Sequence, residues 1–386
     1  MERGTMKILL ITFIILFVAP IVLIAKDSTS PALSPVYIGI TSWNIEIFDA
    51  VGPDDHTFPK RDHRHLEMIA QTILGAGTDV IGIQEMIPPR SASAPSSMDQ
   101  LLSELNRLEN KRNEIKDPPE IWKGKAGKSS IMGKSTIGGI HTALIWNTKT
   151  LELLGKVTEL TQLKRGYGFG KPTSSKEELR FPRTPLAARF RVRSAPANDF
   201  VVIVLHLKAQ TSGIDGGLDS NDIRRRGEWE DLLRNWIMKP EVQGSLKDSD
   251  IIVMGDINES SSVIIELLDK HSIDDDVRNR LIRNAADFSD PRALLLFASG
   301  TKEFPYFTYQ WNAEKGEPKY YAKLKSNFLN WDTKFLDHIL ISRSLIDNWD
   351  EKFRIDYFEK RYPLEDHIRL SDHRPVSIRL RFPAKK

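Results

Sequence analysis

The chain of 386 residues contains no cysteine. That excludes disulfides, thiolate metal sites and a cysteine nucleophile. Several short catalytic patterns are missing as well. There is no Gly-x-Ser-x-Gly turn for a serine nucleophile and no His-Glu-x-x-His for a catalytic zinc. The Gly/Lys/Ser-rich stretch 123–139 does not form Gly-x-x-x-x-Gly-Lys-Ser/Thr, so a Walker-type phosphate loop is excluded. No internal repeat is present. Charge of one sign is not in great excess, with a net +3 and a pI of about 8.8; this mild basicity suits a polyanionic partner without requiring one.

Long hydrophobic runs are confined to residues 8–25, which follow Arg3 and Lys7. This run is at the short edge of the about 20 residues that span a bilayer. It reads as a secretory signal with Ala25 at the cleavage point, or as an uncleaved membrane anchor. In either case the remainder is expected to leave the cytoplasm, being secreted, periplasmic or anchored facing away from it. Residues 26–35 form a polar Pro/Ser linker. No linker divides residues 36–386, which are expected to form one domain. No protein partner is implied.

Within 36–386, strands and helices interleave. Val36–Trp43 reads as a strand ending at Asn44. A helical face at Leu66, Ile69, Ala70, Ile73 and Leu74 is stopped by Gly75 and Gly77. Asp79–Ile83 is a short buried-type strand leading into Gln84-Glu85, and Met98–Lys111 has helical spacing. His141–Trp146 and Leu151–Thr158 suggest a hairpin. Ala187–Val192, Phe200–Leu205 and Asp250–Met254 are strands, followed later by Phe335–Ser342 and the alternating Val376–Leu380. Helices are expected at Asn221–Met238 and Ser260–Lys270. Stretches 123–139 and 164–180 read as basic loops, and 300–334 as irregular and aromatic-rich. Several strand pairs are joined directly, which points to mixed sheets with helices outside rather than a purely parallel α/β fold.

Polar residues gather at the predicted strand ends: the carboxylates Glu85, Asp256, Asp337 and Asp372, the amides Asn44 and Asn258, and the imidazoles His206 and His373. Each has a plain alternative when taken alone. Glu85 could be a helix N-terminal acid, Gly255-Asp256-Ile257-Asn258 a turn or N-cap, and His206 a satisfied strand-end histidine. Together they make an oxygen-rich set that suits a hard cation, magnesium first, with manganese or calcium as alternatives. Such an ion polarises a phosphoryl oxygen and stabilises a leaving oxygen. Two histidines supply general base and general acid near neutral pH. A phosphate ester is the matching substrate.

Six motifs occur in one order: Trp43-Asn44-Ile45, Ile83-Gln84-Glu85, Leu205-His206-Leu207-Lys208, Gly255-Asp256-Ile257-Asn258, Leu336-Asp337-His338-Ile339 and Ser371-Asp372-His373. In this the chain resembles the endonuclease/exonuclease/phosphatase superfamily of deoxyribonuclease-I-like enzymes, over roughly residues 36–384. The resemblance implies a four-layer α/β sandwich, two mixed β-sheets face to face with helices on the outside and the active site at one rim. It further implies that Glu85 is the principal metal ligand, with Asn44 and Asp372 near the ion. His373 would pair with Asp337 to activate water or stabilise the attacked phosphate. Asp256 and Asn258 would orient the nucleophile and bind the phosphoryl oxygen, and His206 would protonate the leaving oxygen or donate to the phosphate. Arg183, in Arg-Thr-Pro-Leu, aligns with a phosphate-contacting arginine of some members. Leu205-His206-Leu207-Lys208 departs from the Tyr-x-Pro-Asn type of abasic-site endonucleases and is similar to the deoxyribonuclease, sphingomyelinase and phosphatase branches.

The expected activity is a metal-dependent nuclease hydrolysing DNA or RNA phosphodiesters outside the cytoplasm. The basic stretches 123–134 and 164–176, Arg224–Arg226, and the aromatics Tyr306–Trp311 with Tyr320-Tyr321 would serve a nucleic-acid substrate. Two alternatives stand beside it. One is a phosphomonoesterase or phospholipid-headgroup phosphodiesterase, to which membrane association through residues 8–25 would be suited. The other is a catalytically silent binding module, which predicts loss of a metal or histidine position, and none is lost.

Overall fold

The computed structural model describes residues 34–48, 61–87, 95–113, 119–127, 140–160, 183–207, 228, 232, 250–258, 296–297, 309–311, 332–334, 337–356, 361–362, 370–371 and 373–384. In chain order its elements are β1 (Val36–Phe48), α1 (His63–Gly75), β2 (Val80–Met86), α2 (Ser97–Asn113), β3 (Trp122–Ala126), β4 (His141–Asn147), β5 (Leu151–Glu159), β6 (Leu186–Val192), β7 (Asp199–His206), β8 (Ile251–Asp256), β9 (Leu296–Phe297), β10 (Tyr309–Trp311), β11 (Asp332–Lys334), β12 (Asp337–Ile341), β13 (Trp349–Ile355) and β14 (Val376–Phe382). Residues Ser34–Lys386 gather into one compact unit.

The strands form two six-stranded mixed sheets, ordered β13-β14-β1-β2-β4-β3 and β5-β6-β7-β8-β12-β9, with a separate β10-β11 pair. One parallel pair lies inside each sheet: β1 with β2 and β7 with β8. Alternation in β1 explains how the layers stack. Ile38 and Ile40 join Val80, Leu144 and Ile378 of their own sheet and Val202, Val204, Ile252 and Met254 of the other in one buried cluster. Aromatic contacts tie the same layer, with the Phe200 and Phe382 rings stacked at 6.1 Å. Each such side chain contributes about 1.5–3 kcal/mol on full burial. The sheets approach closely at Gly82, where an added Cβ would lie 2.8 Å from both methyl carbons of Val204.

The opposite face of the first sheet carries Trp43, Ile45, Ile81 and Ile83, covered by Leu66, Ile69 and Ile73 of α1 and Leu101 and Leu105 of α2. Helix α1 forms because its apolar residues recur at helical spacing and its end is capped. The Asp62 side chain accepts from the His65 backbone N–H, and the His65 ring meets the Asp62 backbone N–H. Helix α2 is tied to the edge strand by Asn106, whose Oδ1 accepts from the Ile121 and Trp122 backbone N–H groups. The segments expected to be helices over the second sheet, Asn221–Met238 and Ser260–Lys270, fall almost wholly outside the described residues.

Three expectations are corrected. The predicted hairpin is not one: β4 pairs with β2 and β3, whereas β5 pairs with β6 in the other sheet. β4 is buried along its whole length, and such an inner strand draws its partners from both sides rather than from its sequence neighbour. The basic stretch from residue 123 starts as edge strand β3, with Lys123 and Lys125 on its more open face, a usual way to block edge-to-edge pairing. The first strand continues past Asn44 to Phe48. Among the described residues no helix is long and apolar enough to cross a membrane; residues 8–25 lie outside them.

Candidate active site

The strand directions bring the predicted residues to one rim. β1 and β2 run parallel, so Asn44 and Glu85 emerge at the same end; Asn44 is register partner of Gln84. β7 and β8 do likewise in the other sheet, with His206 opposite Asp256. β12 runs antiparallel to β8 and starts at this rim, with Asp337 opposite Asp256. β14 also starts there, preceded by His373.

Local backbone shape aims the side chains. The β2–β4 register shifts between Ile83 and Met86, and within that irregularity Glu85 adopts φ 65°. Asn258, just past β8, has φ 56°. These are the non-glycine residues with positive φ among the described residues. Such strain persists where surrounding structure enforces it, and it marks functional sites. Gly255 has φ 149°, and an added Cβ would sit 1.9 Å from the Leu205 carbonyl oxygen. Glycine is required for β8 to lie this close to β7.

Asn44 is the centre of the hydrogen-bond network. Its Nδ2 donates to Glu85 Oε1 at 3.3 Å and to Asp256 Oδ2 at 3.0 Å, and lies 3.4 Å from His373 Nε2. Acceptors on every side fix this atom as the amide nitrogen. On the far side of His373, Nδ1 meets Asp337 Oδ2 at 2.7 Å. A carboxylate only accepts, so Nδ1 carries the proton and Nε2 presents its lone pair to the pocket in the neutral ring. His206 approaches from the other wall, its Nε2 3.5 Å from Asp256 Oδ2 and 3.8 Å from Glu85 Oε1. Asp256 is pushed up to about 7, first by burial, with the neighbouring carboxylates Asp337 and Glu85 adding to the rise while His373 and the Asn44 amide oppose it.

Asn258 and Arg183 meet at one carbonyl. Asn258 Nδ2 donates to Leu207 O at 3.0 Å, and Arg183 Nη1 donates to the same oxygen at 2.8 Å. The Asn258 backbone N–H also donates to Asp256 Oδ1. Arg183 is buried, and its Nε has no hydrogen-bond partner among the described residues. A guanidinium has N–H donors beyond the one given to Leu207 O, a chemistry suited to a phosphate oxygen.

Among the described residues no three His, Asp or Glu side chains converge as a ready-made metal cage. The donor chemistry nonetheless fits a hard cation. Glu85 and Asp256 bring carboxylate oxygens to the same Asn44 amide, and the charge of Asp256 is disfavoured without positive compensation. Asp372, the remaining expected ligand, lies outside the described residues, as do residues 164–176, Arg224–Arg226, Tyr306 and Tyr320-Tyr321. Thus Asn44, Glu85, His206, Asp256, Asn258, Asp337 and His373 come to one rim, and Arg183 joins them through Leu207.

Sequence reading missed the groups that hold this rim together. Trp43 Nε1 donates to His373 O at 3.0 Å. Ser371 Oγ donates to Asn44 O at 2.6 Å and accepts from the His373 backbone N–H at 2.8 Å. Trp43 and Ser371 do flank the candidate residues in their motifs. Arg61 Nη2 donates to Ile45 O at 2.8 Å and to Leu370 O at 3.1 Å, and no motif contains it.

No protein-family model matches the chain, and no curated protein matches it either. Among solved structures the chain is similar to the human Nocturnin catalytic domain with bound sulfate, at 14% identity, 90% of this chain, 97% of that one and TM-score 0.46. It is similar to D. rerio TDP2 complexed with single-strand DNA product, at 12% identity, 89% and 98% coverage and TM-score 0.48. It is also similar to the endonuclease/exonuclease/phosphatase from Bacteroides vulgatus, at 13% identity, 90% and 99% coverage and TM-score 0.48. The roles of individual residues rest on the geometry of the rim.

Proposed function

We propose that this chain is a divalent-metal-dependent phosphoric ester hydrolase, and specifically a nuclease that cleaves phosphodiester bonds of DNA or RNA outside the cytoplasm. The observation that carries the reading is the pair of imidazoles facing one acidic pocket from opposite walls: His373, held by Asp337 at 2.7 Å, and His206, 3.5 Å from Asp256.

In this reading Asp337 fixes the His373 tautomer, so that Nε2 takes a proton from the attacking water or steadies the attacked phosphate. Asp256 orients that water. Arg183 and Asn258 bind the non-bridging phosphoryl oxygens, and His206 Nε2 donates a proton to the leaving oxygen. Glu85, with Asn44 and Asp372 beside it, would hold Mg2+ or alternatively Mn2+ or Ca2+, which supplies Lewis-acid charge for the phosphoryl group. Without such charge an acidic pocket repels a phosphate. The hydrophobic run 8–25 supports export, as a signal or as a retained anchor.

The test is a parallel assay of the purified protein on plasmid DNA, RNA, sphingomyelin and an inositol phosphate, with Mg2+, with Mn2+ and with chelator. Metal-dependent plasmid nicking or RNA cleavage that requires His206 and His373 supports the nuclease. Turnover of only the lipid or the small phosphate ester keeps the hydrolase chemistry and replaces the substrate.

A further inference from the structure

The β1–β14 ladder stops short of the active site. Its register runs from Val36 opposite Phe382 to Ser42 opposite Val376. Asn44 on one strand and His373 before the other lie beyond that register. Yet Asn44 Nδ2 and His373 Nε2 stand 3.4 Å apart, and the proposed chemistry depends on that distance.

We infer that Arg61 is a positioning residue for this site, joining the two strand ends beyond the β1–β14 register. Its single Nη2 has two hydrogens. One goes to Ile45 O at 2.8 Å, directly after Asn44. The other goes to Leu370 O at 3.1 Å, three residues before His373. The guanidinium is buried and lies over the Phe48 ring, 5.6 Å from its centroid. Arg61 directly precedes Asp62, the N-cap of α1, so a third element references both strand ends. The Trp43–His373 and Ser371–Asn44 bonds cross the same junction but come from the two ends themselves. Only the arginine links them to an external support among these bonds. Lysine would keep the charge and an N–H for each carbonyl, but would lose the flat guanidinium that lies over Phe48.

The inference rests on the hydrolase reading for its kinetic arm and stands apart from it for its structural arm. The variants are Arg61→Gln, Arg61→Lys and, as a control, Ile69→Val in the core face of α1. Arg61→Gln is expected to lower kcat ~10–100-fold, as small misplacements of reacting groups do, with KM unchanged. Hydrogen exchange of the 370–376 peptide is expected to quicken, and Mn2+ affinity, read by electron paramagnetic resonance, to weaken. Arg61→Lys should fold and fall between wild type and Arg61→Gln. Ile69→Val should lower Tm with kcat and 370–376 exchange unchanged. The inference is overturned if Arg61→Gln and Arg61→Lys leave kcat and exchange as in wild type, or if Ile69→Val reproduces their effects. Should the wild-type protein turn over no phosphate ester, the hydrolase reading fails, while the exchange measurement still decides the role of Arg61.

Discussion

Asp256 and Asp337 are register partners across the antiparallel β8–β12 pair, two buried carboxylates side by side at the rim of one sheet. Like charges placed so are mutually destabilising. The structure treats the two differently. Asp337 is matched by the His373 ring, whereas burial leads the effects that push Asp256 up to about 7. The folded state therefore holds a proton on Asp256 between the ordinary carboxylate value of 3.8 and about 7, where the unfolded chain has already released it. With more protons bound to the folded form, stability must fall as pH rises through that window. In chelator, wild-type Tm is expected to drop between pH 4 and pH 7 more steeply than that of Asp256→Asn, which has no proton to lose. Added Mg2+ should reduce the difference, because a bound cation favours the ionised carboxylate. Calorimetry at several pH values, with and without metal, checks this; parallel curves for the two proteins in chelator would contradict it.

The Asp337–His373 pair should act as a unit. His373→Ala removes the group facing the pocket and is expected to lower kcat about 10²–10⁴-fold, the usual worth of general acid–base catalysis. Asp337→Asn leaves the ring but reverses its hydrogen-bond preference, because an amide can donate to Nδ1 and send the proton to Nε2. The double variant should lose little more than His373→Ala alone, since residues of one catalytic unit are strongly non-additive. Steady-state kinetics of the three proteins give the coupling. A double variant whose loss equals the product of the single losses would separate the two residues.

Arg183 offers a different signature. Its Nη1 is committed to Leu207 O, and the guanidinium has further N–H donors. Arg183→Lys preserves charge but cannot serve the carbonyl and a phosphate oxygen with one planar group. The substitution is expected to raise KM about tenfold or more, corresponding to the roughly 1.5–3 kcal/mol of one charge-assisted hydrogen bond. Inorganic phosphate inhibition should weaken by the same factor. Unchanged phosphate inhibition would leave Arg183 with a structural role only.

What was legible in the sequence was mainly what strands deliver. Apolar runs ended at Asn44, Glu85, His206 and Asp256, and parallel neighbours carry their ends to the same side, so order along the chain translated into proximity. Pairing was less legible. β4 and β5 are separated by a turn at 148–150 that a hairpin would use, but burial of β4 on both faces gave it distant partners on either side. The least legible feature was Arg61, because its acceptors are backbone carbonyls, and any residue provides those. Arg183 could be aligned, yet its link to Asn258 through Leu207 depends on two strands meeting across 24 residues and 51 residues.

Gly255 makes a prediction about folding rather than chemistry. Its φ of 149° belongs to a region that residues with a side chain rarely enter, and its Cβ would overlap the Leu205 carbonyl. Gly255→Ala must therefore push β8 from β7 at the point where His206 and Asp256 are paired. The backbone strain alone is worth about 1–3 kcal/mol, and the displacement adds to it. A lowered Tm is expected together with lost activity. Gly75→Ala, at a position where nothing lies within 4 Å of the added methyl, serves as the control and should change neither. Equal thermal stability of Gly255→Ala and wild type would show that the close approach is dispensable.

His206 can be assigned by changing the substrate rather than the protein alone. If Nε2 protonates the leaving oxygen, its value depends on how much that oxygen needs a proton. A sugar alkoxide is a strong base and needs one; p-nitrophenolate departs without it. His206→Ala is therefore expected to cost about 10²–10⁴-fold in kcat on a nucleic acid and far less on a p-nitrophenyl phosphodiester. His373→Ala acts on the attacking side and should cost nearly the same on both substrates. The contrast also controls for general damage to the pocket, because a disturbed Asp256 or Glu85, to which His206 is close, would slow both substrates alike. A His206→Ala loss equal on the two substrates would move this imidazole from the leaving group to the phosphoryl oxygens, where it would donate a hydrogen bond throughout the reaction.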